Sequence, residues 1–312
     1  MNRDLAAEIR KVQTFLTHYL GGEPDQVQFL GAGAWSRCFG FSWKGHARVV
    51  RFGKYVADFE KDQRAFRYAT AELPVPKLLE IGTTPEGYFA ISARVYGAPL
   101  ENVRSSQWHA LLPAVIDALE AMRTADLGGV AGFGGWGTDG NAPHSSWSAR
   151  LLAVAKDRPE QRGHGWRAAL ANFPQAEAAF ARGYALLLQV ADDAVPRSLL
   201  HCDLTNRNVF VAGERITGIF DWGCSIYGDH LYEVALFEFW SPWQPQLDIA
   251  ALKQGLARRW AEQGYTPLNM TERLRACHLH IGLEHIAYHA QLGNGEMLQQ
   301  VAERMEILAS RL

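Results

Sequence analysis

The most constraining feature of the sequence is a polar motif followed by a short apolar hairpin and a second acidic motif. The first motif runs from His201 to Asn208 and contains Asp203, and the second begins at Asp221. Two apolar segments within 209–220 lie between the motifs and are joined by a Gly-Glu-Arg turn. If these segments pair as antiparallel strands, Asn208 and Asp221 lie at the same open end, and Asp203 lies on the loop that leads to it.

These residue types predict a magnesium site beside a catalytic base. Carboxylate and amide oxygens that are too few to enclose an ion are typical of Mg²⁺ whose shell is completed by phosphates and water. A further carboxylate that does not bind the metal can accept a proton from a hydroxyl. The alternative is that Asp and Asn serve only as turn formers, which explains any one of these residues but not the whole combination.

The rest of the chain divides into a strand-rich part and a helical part. Helical periodicity over 4–20 precedes strand-like segments, one helix over 58–71 and a second hairpin. Later helices are predicted over 107–125, 145–156, 165–172, 175–193, 248–263 and 270–291. We therefore predict an α+β, two-lobed fold with a small antiparallel sheet and one main helix in the N-terminal lobe (1–92). A hinge (93–97) and a mostly helical lobe with an embedded hairpin (98–312) follow.

Composition limits the class of protein. Apolar residues make up 48% and charged residues 21%, which is typical of a soluble protein with a sizeable core. A net charge of −2 without a basic block disfavours a nucleic-acid partner, and no apolar run approaches the roughly 18 residues that span a membrane. The N-terminus lacks the apolar stretch of a signal peptide, and four cysteines without metal-ligand spacing fit a reducing compartment. We expect a cytoplasmic, monomeric enzyme.

The motif at 201–208, the hairpin and the following Asp-x-Gly resemble the catalytic and metal-binding loops of kinase-fold phosphotransferases. The form His-Cys-Asp with Ile-Phe-Asp-Trp and the later segment 228–233 is more similar to aminoglycoside phosphotransferases than to protein kinases. Within that family, some stretches resemble the hygromycin B kinases: 131–134 with 146–147, 232–235 with 239–243, and 281–284. With the N-terminal part, the resemblance covers about residues 25–300.

The resemblance implies transfer of phosphate from ATP to a hydroxyl of an aminoglycoside, most closely hygromycin B, with Mg²⁺; GTP stays open as an alternative donor. It implies that Asp203 orients and deprotonates the acceptor hydroxyl while Asn208 and Asp221 hold Mg²⁺. Asp229 and Glu233 are expected to brace the loop and the following helix rather than to take part in the chemistry.

The N-terminal lobe is expected to hold the nucleotide. Gly31, Gly33 and Ser36 stand between two strands, where backbone N–H groups and the Ser36 hydroxyl could contact phosphates, although a lone Gly-x-Gly is weak evidence. Arg51, which follows 18 to 20 residues later, stands where a kinase places its lysine and can bridge phosphate oxygens. The backbone of the hinge should read the adenine edge at Ser92, Ala93, Arg94 and Val95.

Arg51 needs an acidic partner on the helix that follows, and Glu60 and Asp62 are the candidates. Phe59 and Phe66 mark the buried face of that helix. Asp62 lies three residues after the first and four before the second, so it shares their face. Glu60 lies about 200° away around the helix. Periodicity therefore favours Asp62.

A polycationic acceptor needs carboxylates and aromatic surfaces, and the helical lobe offers both. Glu238 lies in an apolar run and Glu284 on an apolar side of a helix, where acidic residues seldom lack a partner. We predict that both bind the antibiotic together with Trp240 and Asp139. The alternative, equally weighted, is that a partner already in the fold, such as Arg275 or a nearby histidine, neutralises the two glutamates.

Two other functions stay open. The fold hosts many acceptors, so the chain could phosphorylate another small alcohol: choline, homoserine, a sugar or a macrolide. A macrolide predicts an apolar cavity, whereas a polyamine predicts several unpaired carboxylates. A nucleotide-binding pseudokinase fits the arginine at position 51 but not the intact Asp203, Asn208 and Asp221.

Overall fold

The structure is a computed structural model that describes residues 3–33, 36–160 and 162–310. Its α-helices are α1 (Arg3–Leu20), α2 (Val56–Ala65), α3 (Ser105–Arg123), α4 (Trp147–Leu152), α5 (Trp166–Leu170), α6 (Pro174–Val190), α7 (Leu231–Trp240), α8 (Ile249–Glu262), α9 (Met270–Gln291) and α10 (Gly295–Ser310). Short 3₁₀ turns lie at Phe66–Tyr68, Leu100–Asn102, Ala153–Ala155, Trp222–Cys224 and Ser241–Trp243. None of these helices is long and apolar enough to span a bilayer.

The strands form three antiparallel sheets within the described residues. They are β1 (Asp25–Ala32), β2 (Ser36–Trp43), β3 (His46–Gly53), β4 (Leu78–Thr84), β5 (Gly87–Ala93), β6 (Ala98–Pro99), β7 (Gly134–Gly135), β8 (Ser198–Leu200), β9 (Val209–Ala212), β10 (Arg215–Ile219) and β11 (Ile226–Gly228). The large sheet has the order β1-β2-β3-β5-β4, and two smaller sheets have the orders β10-β9-β6 and β7-β11-β8.

The chain forms two compact units. The first comprises the chain up to Asn102 together with Asn206–Gly223, and the second comprises Val103–Thr205 and the chain from Cys224 onward. The hairpin β9–β10, which sequence analysis assigned to the helical lobe, thus groups with the first unit. The reason is that β9 pairs with β6 and the Ile219 N–H donates to the Pro74 carbonyl at 2.9 Å. The functional lobe boundaries at 92 and 97 stay a prediction.

The core of the first unit lies between the large sheet and α1. Val12 and Leu16 of α1 are buried against side chains of β2, β3 and β5, among them Phe39, Val50 and Phe89. The alternation of these strands and the amphipathic period of α1 direct apolar residues to the shared face. The predicted N-terminal helix and both predicted hairpins of this unit are confirmed.

The helix predicted over 58–71 is shorter than expected. It ends at Ala65 and passes through a 3₁₀ turn into a loop. Thr70 forms this loop, because its hydroxyl accepts the Leu73 N–H at 3.1 Å and its own N–H donates to the Leu73 carbonyl. A threonine that bonds its neighbouring backbone in this way competes with helical hydrogen bonding.

The second unit is built around α9, in which most side chains are buried. The six predicted helical segments of this part correspond to α3, α4, α5, α6, α8 and α9. The predicted helical segments include neither α7 nor α10, although the bracing role expected of Asp229 and Glu233 implies a helix at the place of α7. The short strands β7, β8 and β11 were not predicted either. Because α7 is apolar on almost every side, it lacks the one-sided period on which a sequence-based prediction depends.

Candidate active site

The loop of the second unit that is predicted to be catalytic places Asp203 directly after a strained backbone position. Cys202 has φ +66°, a left-handed conformation that is uncommon for a residue with a side chain. His201 is fully buried, and its Nδ1 accepts the Asp203 N–H at 3.2 Å. Strain of this kind persists only where the surroundings determine the conformation, so the orientation of Asp203 depends on the groups that hold the loop.

Glu233 in the first turn of α7 holds this loop. Its Oε1 accepts the backbone N–H of Cys202 at 2.7 Å and also that of His201. Burial raises the pKa of Glu233 to about 7, although the two backbone N–H groups oppose the shift. Asp229 forms a two-bond ion pair with Arg273, at 2.8 and 2.5 Å. Glu233 thus holds the loop, and Asp229 Oδ1 accepts the Leu231 N–H at the start of α7 at 3.0 Å, as expected of braces. That neither residue takes part in the chemistry stays a prediction.

In the first unit, the hairpin brings Asn208 and Asp221 to one end, as its pattern predicts. The Phe220 N–H donates to the Asn208 carbonyl at 2.8 Å, one step beyond the paired strands. Asp221 follows with φ +56°. A Cβ at Gly223 would lie 3.2 Å from Asp221 Oδ1 and 3.4 Å from Asp58 Oδ1, so glycine keeps space beside this carboxylate. Oxygen donors at such an end fit Mg²⁺ with phosphate and water ligands.

Arg51 on β3 forms an ion pair with Asp62 on α2, so Asp62 rather than Glu60 is its partner, as the helical period predicts. The other oxygen of Asp62, Oδ1, accepts the Trp222 N–H at 2.7 Å. Burial opposes the charge of Arg51, but Asp62 and Asp221 raise its pKa above the ordinary value. A fixed positive charge therefore lies close to the carboxylate that is expected to hold the metal.

The glycine turn lies at the junction of β1 and β2. The Gly33 N–H donates to the Ser36 carbonyl at 2.9 Å, and Gly31 pairs with β2. Neither glycine would bring a Cβ within 4 Å of another group, so the space beside both is open to a ligand. Ala34 and Trp35 of this motif lie outside the described residues.

The predicted hinge begins inside β5. Ser92 and Ala93 still pair with β3, and the Arg94 N–H donates to the Ala47 carbonyl at 3.2 Å. Val95 follows the strand and packs close to the β10 backbone. Recognition of the adenine edge by these four residues stays a prediction.

Glu284 has a partner in the fold, but it is not Arg275. Arg150 donates to Glu284 Oε1 at 2.7 Å, and the Tyr232 hydroxyl, which also bonds His280 Nδ1, lies 3.4 Å from Oε2. Burial would raise the pKa of Glu284, but the Arg150 guanidinium lowers it to about 2. The side chain is nonetheless 46% exposed, so an external cation can still reach it.

Glu238 is also paired within the second unit. Lys253 Nζ donates to both of its oxygens, at 3.0 and 3.1 Å, and His278 Nε2 lies 3.4 Å from Oε2. Burial would raise the pKa of Glu238, but His278 and Lys253 lower it to about 2. The fold itself thus supplies two partners for Glu238, as the alternative interpretation expects, and binding of the antibiotic by this glutamate stays a prediction.

Trp240 and Asp203 line one small cavity of the second unit. Its further lining residues are Cys202, Leu204, Thr205, Glu233, Leu236 and Phe237. The Trp240 ring packs edge-on against His285, with centroids 4.7 Å apart. Asp139 instead closes a turn in the loop between β7 and α4, because its oxygens accept the Asn141 N–H at 2.9 Å and Nδ2–H at 3.0 Å. Trp240 thus lines a cavity together with the residue that is predicted to be the catalytic base.

Comparison with known proteins decides the family. The model of the phosphotransferase enzyme family (APH) matches residues 42–269, which is most of the chain. The chain belongs to this family. The predicted kinase-like α+β fold and the predicted alcohol-acceptor phosphotransferase activity are both confirmed by this match and by the relatives below.

Relatives of this phosphotransferase include a curated hygromycin-B 4-O-kinase of Escherichia coli, which is 32% identical over 88% of this chain and 77% of its own. The fold is also that of aminoglycoside phosphotransferase APH(4)-Ia. A thermostable variant of that protein, solved with AMP-PNP and hygromycin B, is 29% identical, with 96% and 98% of the two chains covered and a TM-score of 0.81. Spectinomycin phosphotransferase APH(9)-Ia, at 13% identity over 96% and 93% of the two chains and a TM-score of 0.56, shares the fold.

Sequence analysis missed the groups that hold the phosphotransferase site together. The residues predicted from the sequence include neither Arg150, which pairs with Glu284, nor Lys61, whose Nζ donates to the Gly223 carbonyl at 2.7 Å. A signal for Lys61 exists, because it stands next to Asp62 and directly follows the acidic candidate Glu60 on a half-buried helix. No local pattern identifies Arg150, which lies 134 positions from its partner.

Proposed function

We propose that this phosphotransferase transfers the γ-phosphate of ATP to a hydroxyl of hygromycin B or a closely similar aminocyclitol antibiotic. The observation that carries the reaction is the braced loop that presents Asp203 in a cavity shared with Trp240. The choice of acceptor is supported by the curated kinase relative and by the complex of APH(4)-Ia with hygromycin B.

Asp203 acts on the acceptor. Its carboxylate orients the sugar hydroxyl and takes its proton as the hydroxyl oxygen bonds to phosphorus and the bond to the ADP oxygen breaks. The Asp203 N–H is held by His201, and the two preceding N–H groups are held by Glu233, so the loop needs little rearrangement on binding. Such positioning is the main contribution a protein makes to phosphoryl transfer.

The first unit holds the nucleotide. Arg51, kept charged by Asp62, contacts phosphate oxygens, and the turn at Gly31, Gly33 and Ser36 lies against them. Asn208 and Asp221 would hold Mg²⁺, which when bound neutralises charge on the phosphates. The backbone at 92–95 takes the adenine edge. ATP is the donor that the AMP-PNP complex of the relative favours.

A polycationic acceptor is supported by Glu284, whose carboxylate stays almost half exposed while Arg150 holds it in place. A preorganised carboxylate of this kind can bind an ammonium group without further ordering. Phosphorylation adds negative charge to an antibiotic whose binding to RNA depends on positive charge. We therefore infer that the enzyme, acting in the cytoplasm as a monomer, confers resistance.

The test is ADP release from purified protein with ATP and Mg²⁺ and with hygromycin B, a kanamycin-type aminoglycoside or no acceptor. We expect turnover with hygromycin B only, and loss of turnover in Asp203→Asn with nucleotide affinity retained. Turnover with another alcohol alone would contradict the acceptor. Absence of turnover with every acceptor would contradict the enzymatic proposal and favour a pseudokinase.

A further inference from the structure

Lys61 is one of the few charged side chains that the first unit buries. It lies on α2, is 8% exposed, and donates from Nζ to the Gly223 carbonyl at 2.7 Å. Lysine is almost never this buried unless a partner compensates for its lost hydration. Its carbonyl acceptor lies two residues after Asp221, in the segment that is expected to hold the metal.

The next residue of α2 binds the same segment. Asp62 accepts the Trp222 N–H at 2.7 Å, so two consecutive residues of one helix bond the backbone of the two residues that follow Asp221, at the Trp222 N–H and at the Gly223 carbonyl. Asp221 itself has φ +56°. A side chain in this region is strained by about 1–3 kcal/mol and stays there only when neighbouring contacts determine the backbone. The bonds from α2 are contacts of that kind.

Loss of the Asp62 bond would have different consequences from loss of the Lys61 bond. Asp62 also pairs with Arg51, so its loss would disturb the phosphate-binding charge together with the metal segment. Lys61 bonds the segment at Gly223, where a Cβ would already approach Asp221 Oδ1 to 3.2 Å. A shift of the backbone at Gly223 would therefore bring it closer to the Asp221 carboxylate or move it further away.

We propose that Lys61 is a positioning residue that fixes the backbone after Asp221 and thereby sets the affinity of the site for Mg²⁺. This inference rests on the proposed function, since it requires that Asp221 binds the metal of a nucleotide complex. Groups that orient metal ligands without touching the metal commonly contribute about 10- to 100-fold to metal affinity or activity. In this role Lys61 acts through its hydrogen bond to the Gly223 carbonyl.

The test compares Lys61→Met with the wild type and with Lys11→Met, which makes the same change at an exposed position of α1. Calorimetry measures the Kd of AMP-PNP once with Mg²⁺ and once with a chelator. We expect Lys61→Met to lower the Mg²⁺-dependent gain in affinity by about tenfold or more. The chelated affinity should change less than about threefold, because Arg51 and Asp62 remain in place. Lys11→Met should match the wild type in both.

Lys61→Gln serves if Lys61→Met fails to fold, because it keeps a polar group but is too short to reach Gly223. It should shift the Mg²⁺ dependence in the same direction, and Lys61→Arg should restore part of it. The role of Lys61 would be overturned if its substitution weakened AMP-PNP binding equally with Mg²⁺ and with the chelator. It would also be overturned if neither affinity changed. If the wild type itself gains no affinity from Mg²⁺, the proposed function fails first, and the inference fails with it.

Discussion

The two units each present one carboxylate from a strained loop, and each loop is held by a carboxylate on a neighbouring helix. In the second unit, Glu233 of α7 accepts hydrogen bonds from the backbone N–H groups of the two residues that precede Asp203. In the first, Asp62 of α2 accepts one N–H after Asp221 and also pairs with Arg51. The same device therefore holds the proposed proton acceptor in one unit and the proposed metal ligand in the other.

The difference lies in the charge of the brace. Burial raises the pKa of Glu233 to about 7, and the groups that oppose this shift are backbone N–H dipoles. Burial also raises the pKa of Asp62, but there the opposing group is the full charge of Arg51. Glu233, whose pKa shift only backbone N–H dipoles oppose, can take up a proton without leaving a charge unpaired. Loss of the Asp62 charge, in contrast, leaves the buried Arg51 cation without its ion-pair partner. We therefore expect the loop of Asp203 to respond to pH and the segment of Asp221 to respond to removal of a charge.

The largest effects are expected from removing Asp203 or Asp221, and the two variants should lose different properties. Asp203→Ala removes the proton acceptor, and we expect kcat to fall by about 10²- to 10⁴-fold with the Kd of Mg²⁺–AMP-PNP nearly unchanged. Asp221→Ala should instead weaken that Kd and abolish its dependence on Mg²⁺. Steady-state kinetics and calorimetry on the same preparations measure both. If Asp203→Ala weakens nucleotide binding as strongly as Asp221→Ala does, the division of roles is wrong.

Removal of Asp62, the ion-pair partner of Arg51, should have a smaller effect, which is a loss of stability. Asp62→Ala leaves the Arg51 guanidinium buried without its partner, so we expect the free energy of unfolding to fall by roughly 3–5 kcal/mol. Asp62→Asn keeps an acceptor for the Trp222 N–H and should cost less. Urea denaturation measures the difference. Equal stability of wild type and Asp62→Ala would contradict the ion pair as a structural element.

Glu233 should make the free energy of unfolding depend on pH. Because the folded pKa of Glu233, about 7, lies above its ordinary value of 4.5, the folded state binds the extra proton more tightly. The resulting stability is fully present below pH 4.5 and is lost as pH rises through 7, by at most roughly 3 kcal/mol. Urea denaturation from pH 5 to 8 should show a shallower decline for Glu233→Gln, which keeps an acceptor oxygen. Parallel curves for the two proteins would refute the shift.

The smallest effect concerns the acceptor. Glu284→Gln removes the exposed carboxylate but keeps an oxygen for Arg150, so we expect KM for hygromycin B to rise about two- to fivefold, as for an exposed ion pair. The value of kcat should stay the same. Glu238→Gln is the matched comparison, because Lys253 and His278 already neutralise Glu238. A larger rise in KM for Glu238→Gln would reverse the assignment of the two glutamates.

Much of the first unit could be predicted because its signals are local. The hairpin pattern places Asn208 and Asp221 together, and the helical period selects Asp62 over Glu60. What could not be predicted depends on distant pairs. The partner of Glu284 lies 134 positions away, and no local pattern encodes such a contact. The extent of helix α7, which carries Glu233, could not be predicted because a buried helix shows no polar face.

Mass spectrometry of the reaction product tests the central claim most directly. Hygromycin B is incubated with ATP, Mg²⁺ and the wild-type enzyme, and in parallel with Asp203→Asn. We predict one product, heavier than the antibiotic by a single phosphoryl group, that forms with the wild type and not with the variant. An unmodified antibiotic after complete ATP turnover, or equal product from Asp203→Asn, would contradict it.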